Sequence, residues 1–240
     1  MSMRFKGGVI SATAPTTSTS AASGVWTLPQ QMQAKAAGNW TGIPPSIGDA
    51  YQGGFFAGQI GVSGVATHNL VVGPVASAQS TSIKWKNANT ATPGADSDID
   101  GPQNTADMVA DGNSTVYPAA HFCNDLVIGG FSDWYMPAKN ELEVCYYNLK
   151  PTTTSNYIPS GINPNAVPAR ASDYTSGTPA QTSATNFQNT GAEDFGTQQY
   201  WSSTESSATT ASYQDFNDGR QNNYLKALNY SVRAIRRVAV

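Results

Sequence analysis

Three groups of residues in this chain could do chemistry, and each implies a different kind. Asp96-Ser97-Asp98-Ile99-Asp100-Gly101, followed by Asp107, has the spacing of a calcium loop. Such a loop needs oxygen ligands at positions one, three and five, glycine at six for the sharp turn and a carboxylate at twelve. Three features weaken the match. Asp107 is shorter than the bidentate glutamate such loops use, Gln103 stands where an apolar residue is usual, and no amphipathic helix precedes Asp96. The competing reading is an acidic surface loop that caps a helix-like segment at Thr105–Ala110. Calcium is the one cofactor the sequence raises, and the expectation is that none is bound.

The second group would be nucleophiles and acids. His121 and Cys123 sit two apart, with only His68 to join them. Helical positions two apart face different directions, so a buried cysteine and an exposed histidine are expected rather than a catalytic pair. Ser202-Ser203-Thr204-Glu205 sets hydroxyls beside a carboxylate, but with no Gly-x-Ser-x-Gly elbow and no histidine nearby. Glu193-Asp194 or Asp215 with Asp218 could supply the two carboxylates of a polysaccharide hydrolase, outside any recognisable motif. No enzyme is expected.

The third group is the segment 206–231, SSATTASYQDFNDGRQNNYLKALNYS. It combines Tyr213, Tyr224 and Tyr230 with Asp215, Asn217, Asp218, Arg220, Asn222, Asn223, Lys226 and Asn229. Rigid amphipathic rings beside adaptable hydrogen-bonding groups are the mixture of a binding paratope, and these residues form the candidate ligand-binding set. The alternative is an ordinary polar hairpin. Trp85, Phe131, Trp134 and Trp201 could stack on sugars but read more simply as core anchors. Arg233, Arg236 and Arg237 near the end are expected to pair with acidic neighbours or another subunit, since strand alternation splits them between two faces.

Only 12% of the 240 residues are charged and the net charge is −3, so there is no broad field to attract phosphate backbones. Nucleic acid is not an expected partner. No run approaches eighteen apolar residues, and Met1–Lys6 leads into Gly and Ser/Thr-rich sequence rather than an apolar signal core, so neither membrane insertion nor Sec export is expected. The two cysteines, Cys123 and Cys145, read as buried thiols.

The elements that must position these groups are short. Residues 1–42 read as an attachment and oligomerisation segment. Residues 7–24 lack the apolar groups to fold alone, and a short strand or helix follows at Val25–Leu28 and the Gln/Ala run 30–37. The domain 43–240 reads as α+β. Strands are expected at Gly54–Ile60, His68–Val72, Ser82–Trp85, Tyr200–Thr204, Tyr213–Phe216 and Val232–Val238, with a hairpin turn at Asn217-Asp218-Gly219. One helix starts near Pro118, with Ala119, Cys123 and Leu126 inward. A second starts after Pro137, with Leu142, Cys145, Tyr146 and Leu149 inward. The passage 151–196 is far longer than a connecting loop, and loops of that length are usually functional or mobile.

Three separated motifs occur in order: Gly130-Phe131-Ser132-Asp133-Trp134 before a Pro-led helix, Tyr200-Trp201-Ser202-Ser203-Thr204, and Val232-Arg233-Ala234-Ile235-Arg236. Together they resemble the Lcl-like C-terminal domain family over roughly 43–240. The resemblance implies a C-type-lectin-like fold, with two helices against small twisted sheets and a long loop insertion, as in surface-displayed and bacteriophage tail binding proteins. Formylglycine-generating enzymes share the broad fold but depend on late active-site cysteines, and none follows Cys145 here. Some lectin-like relatives are diversified by reverse transcriptase in a block corresponding to 206–231. The leader resembles the opening of marine phage tail proteins. The resemblance implies a virion tail fibre or receptor-binding protein. Its partners would be a host surface receptor, protein or glycan, and other tail proteins through the N-terminal segment, and its assembly a homotrimer. A structural tail or capsid decoration protein is the alternative.

Overall fold

The computed structural model describes residues 45–240, together with Pro29 and Met32. The segment 1–42, with its expected element at Val25–Leu28, otherwise lies outside the described residues. Residues Ser46–Val240 form one unit.

A first sheet is built from the two ends of that unit. β1 (Ala50–Tyr51), β2 (Gly54–Val62) and β3 (Val65–Val72) form an antiparallel meander, and β9 (Ile235–Ala239) pairs with β3 to give the order β1-β2-β3-β9. The second sheet contains β4 (Gln79–Lys84), β5 (Gln199–Glu205), β6 (Thr210–Asp215), β7 (Gln221–Leu225) and β8 (Asn229–Arg233), in the order β4-β8-β5-β6-β7. All neighbours are antiparallel except β5 and β8, which run parallel with Tyr200 beside Ser231. The single closing strand expected at Val232–Val238 is therefore two strands in two sheets. Ala234 makes the crossing. Its N–H bonds Ala78 O at 2.8 Å and its carbonyl accepts Gly73 N–H at 3.0 Å, a close backbone approach that a fully buried small residue permits.

Within Ser46–Val240 four α-helices accompany the sheets: α1 (Val75–Ala78), α2 (Gly101–Asp111), α3 (Pro118–Asn124) and α4 (Lys139–Leu149). Proline stands in the first turn of α2 and α3, where its missing N–H costs nothing. Helix α4 is buried nearly all round: Asn140, Glu141 and Glu143 are enclosed as well as Leu142, Cys145, Tyr146 and Leu149. A helix polar on one face yet buried there must find partners for its carboxylates. Glu141 accepts from Ala138 N at 2.9 Å and Arg237 Nε at 2.7 Å. Glu143 accepts from Asn163 Nδ2 at 2.6 Å, Tyr174 OH at 2.7 Å and the Arg170 guanidinium. Burial pushes both carboxyls above their usual range, opposed in each case by the arginine.

These partners explain the passage 151–196. Rather than standing off as a surface loop, it wraps α4 and supplies Ala166, Tyr174, Phe187 and Phe195 to the core cluster of Tyr146, Leu149, Tyr200 and Phe216. A second cluster, on the opposite face of the five-stranded sheet, holds Trp85, Met108, Tyr117, Cys123, Trp134 and Trp201. Strand β5 alternates between the two, Tyr200 into one and Trp201 into the other, and so is buried on both faces. The cysteines lie in different clusters and are free, and burial raises both thiols well above their ordinary range.

Candidate functional site

The candidate binding segment folds as the β6–β7 hairpin and the return into β8. The turn is made as its residues dictate: Gly219 has φ +78°, and a Cβ there would lie 2.4 Å from the Tyr146 ring. Asp215 accepts from Asn217 N at 2.8 Å and Gln199 Nε2 at 2.7 Å, and Asp218 accepts from Arg220 N at 3.0 Å. Asn217 takes Thr152 Oγ1 on its carbonyl at 3.0 Å. Asp215, Asn217 and Asp218 therefore hold the turn more than they offer free groups.

Beyond the turn, register puts one set of rings on one face. Trp201 lies opposite Tyr213, Tyr213 opposite Asn222, and Ala211 opposite Tyr224. Tyr230 covers Trp201 at 4.6 Å between centroids and meets Tyr213 at 5.1 Å and Tyr224 at 5.8 Å. Exposure grows outward along this series. Trp201 is fully buried, Tyr213 and Tyr230 are half-buried, and Tyr224 is 47% exposed. Burial raises the Tyr213 phenol and pushes Tyr230 up to about 12, with the neighbouring Tyr213 and Tyr224 rings adding to it. Arg220, Asn222, Asn223 and Asn229 are exposed. Register places Asn222 on the ring face and Asn223, whose Oδ1 accepts from Ser212 Oγ at 2.9 Å, on the other.

Lys226 does not belong to this face. The chain turns inward after Leu225, and the Lys226 ammonium is fully buried, 2.8 Å from Glu205 Oε2 and 2.8 Å from Thr90 O, lying over the Trp85 ring. Burial lowers its pKa while Glu205 opposes the shift. Leu225 and Leu228, by contrast, are 42% and 40% exposed beside Tyr224, and sequence reasoning passed over them. An apolar pair beginning right after a tyrosine in a polar strand was the available signal.

The acidic residues of the calcium reading are drawn to separate partners. Gly101 opens helix α2 instead of a loop turn, and Asp100 caps that helix by accepting Gln103 N at 3.3 Å while facing Arg237 at 3.7 Å. Asp98 pairs with Lys139 at 3.5 Å, Asp107 accepts from Gln103 Nε2 at 2.8 Å, and Asp96 is exposed. Among the described residues no group of three or more His, Cys, Asp or Glu is placed to hold a metal. The nucleophile candidates are likewise occupied. Ser202 Oγ donates to Ser212 O, Ser203 Oγ accepts from Asn104, and Thr204 Oγ1 donates to Ser97 O. Glu193 holds Arg233 at 2.9 Å, and Asp194 accepts from Thr190 N. His121, expected exposed, is mostly enclosed with a ring nitrogen 2.8 Å from Gly112 O.

The sequence motifs meet in space as a frame. Arg236 grips Asp133 at 2.7 and 2.8 Å and lies 3.8 Å over the Phe131 ring, tying the closing strand to the Gly-Phe-x-Asp-Trp turn. Trp85 Nε1 donates to Ser202 O at 2.8 Å and Trp201 Nε1 to Ile83 O at 3.2 Å, tying β4 to β5. The result is an α+β domain of mostly antiparallel sheets, with an aromatic and amide surface at one sheet edge. The family model of the Lcl C-terminal domain matches residues 75–236, more than half of the chain, and the protein belongs to that family. Among curated proteins, none matches the chain. No helix among the described residues is long and apolar enough to cross a membrane.

Proposed function

We propose that this is a non-catalytic receptor-binding protein of a bacteriophage tail, with a C-type-lectin-like domain that carries its contact surface on the outer β6–β7–β8 face. The observation that carries this is the outward gradient from buried Trp201 through Tyr230 and Tyr213 to exposed Tyr224, with exposed Asn222 on the same face and exposed Arg220 and Asn223 at the strand edge. Rings already held by packing lose little freedom on binding, and the amides beside them can adapt to different partners. The lectin-like assignment is supported by the pairing of β3 with the terminal β9 and by the long passage packed over α4. Several copies on one particle, a homotrimer in the simplest case, would offset weak individual sites. The leader 1–42 would attach the domain to the virion.

A second reading has its own observation. Strand β7 is a sheet edge, and Tyr224, Leu225 and Leu228 are exposed along it, a surface that could join neighbouring subunits of a structural tail protein. Adsorption separates the two. Asn222→Ala, Asn223→Ala and Tyr224→Ala combined should abolish binding of purified protein to host cells while particles still assemble. Failed assembly with retained cell binding would favour the structural role.

A further inference from the structure

A cleft of about 480 Å³ opens beside the first residue of β7, and none of the four rings of the aromatic face lines it. Its walls come from three segments: Asp98 before α2, Lys139 and Asn140 at the start of α4, and the stretch 159–165 of the long passage, with Asp173 and Gln221 at its margin. That volume falls in the range of small-molecule sites.

The walls are held in place. Gln221 accepts from Gly161 N at 3.1 Å and its own N–H donates to Ser160 Oγ at 3.0 Å, which fixes the long passage against β7. Asn140 Nδ2 donates to Asn165 Oδ1 at 2.9 Å, and Asn165 Nδ2 reaches Gly61 O at 3.2 Å. Preorganised walls reduce the ordering that a ligand would otherwise have to impose.

We propose that this cleft binds an uncharged saccharide of one or two rings. The lining chemistry selects for it. Carboxylates and side-chain amides supply the acceptors and donors that vicinal hydroxyls need, and Pro159, Ile162 and Pro164 offer apolar surface to the C–H face of a pyranose. Ile162 is 53% exposed, an apolar side chain left uncovered at the rim. The Asp173 carboxylate has no hydrogen bond or ion pair among the described residues and is free to accept from a ligand. Charge argues against an acidic sugar. The one lysine in the lining is paired with Asp98 at 3.5 Å, and Asp173 leaves the lining net negative. The inference deepens the receptor-binding reading by giving it a glycan component, but it rests on its own residues.

The test is retention of full-length protein on an array of neutral, amino-bearing and sulfated or carboxylated oligosaccharides, followed by titration with the best binder. Neutral glycans should be retained. Asp173→Ala and, separately, Ile162→Asp should each weaken binding at least tenfold with an unchanged melting temperature, and Tyr224→Ala should leave it unaltered. Ile162→Asp adds a charge to an exposed position and so tests the cleft without touching the core. Preference for acidic or amino-bearing glycans, or no retention of any glycan, overturns the proposal. In the latter case, loss of cell adsorption in the Asn222, Asn223 and Tyr224 variant would still leave the receptor reading standing. Neutral binding abolished by Tyr224→Ala but not by Asp173→Ala would also overturn it, by moving the saccharide to the aromatic face.

Discussion

Strands β5 and β7 are separated only by β6 and are made of similar residues, yet they do opposite work. In β5, Tyr200-Trp201-Ser202-Ser203-Thr204 is buried throughout, and its hydroxyls and indole are matched to partners on β4, β6, α2, α4, the segment before α2 and the 151–196 passage. In β7, Gln221-Asn222-Asn223-Tyr224-Leu225 is exposed from its second residue on. Tyr, Ser, Asn and Gln thus serve as frame or as face according to position in the sheet. A central strand has a core cluster on each side, whereas an edge strand has one neighbour and open solvent beyond it. A protein with few charges can place nearly the same chemistry inside and outside, provided every inner polar group is satisfied.

The comparison breaks most visibly at Trp201. Trp201→Ala should cost roughly 3–5 kcal/mol, because it empties a buried site and strips the support from under Tyr230. Denaturant unfolding would measure it. A loss below about 1 kcal/mol would mean β5 is not the frame.

Glu205→Ala is the next in size. It leaves the fully buried Lys226 ammonium with only carbonyl oxygens, and breaking a buried pair from one side costs about 3 kcal/mol. The same measurement on Lys226→Met should give a smaller loss, since the Glu205 carboxylate left behind is 12% exposed and keeps Thr92 N at 2.7 Å. This pair sharpens the boundary between frame and face, because Lys226 follows the exposed strand by a single residue.

Alkali probes the ring series itself. The Tyr230 phenol titrates at about 12 when folded against 10.0 when free, so the native state holds its proton longer than the unfolded chain. The stability this contributes is complete below pH 10 and is lost as pH rises toward 12. Buried Tyr135, Tyr146, Tyr174 and Tyr200 shift in the same direction and add to the loss. Ultraviolet titration of phenolate beside melting curves should show late ionisation that coincides with unfolding, and Tyr230→Phe should reduce the fall.

The smallest effect is expected from chelation. With Asp96, Asp98, Asp100 and Asp107 directed to separate surroundings, chelator should not move the melting temperature, as calorimetry would show. A drop in the wild type that is absent from Asp98→Ala would favour the calcium loop.

Much of this was legible in sequence because the signals were local. Gly, Pro and Asn bounded β2, β3 and β4, Pro118 opened α3, the spacing of Leu142, Cys145, Tyr146 and Leu149 marked a buried face of α4, and Asn217-Asp218-Gly219 marked the hairpin. What failed depended on distant partners. Nothing local to Val232–Val238 reveals that Ala234 passes from one sheet to another. The burial of Lys226 depends on Glu205, 21 positions away, and the packing of 151–196 on carboxylates of α4. The acidic spacing at Asp96–Asp107 did not reveal that Gly101 opens a helix, which follows from Pro102 in its first turn and makes Asp100 the cap. Of the candidate site, the exposed amides and Tyr224 were readable from composition, whereas the shaping role of Asp215, Asn217 and Asp218 needed the turn in three dimensions.

The most direct test of the division between frame and face is a saturation scan of Tyr200–Thr204 and Asn222–Tyr224, sorted first for folding and then for binding to host cells. The account predicts that positions in β5 reject most substitutions at the folding sort, whereas Asn222, Asn223 and Tyr224 accept nearly all of them there and are depleted only at the binding sort. Loss of folding across 222–224, or free passage of those variants through both sorts, would contradict it.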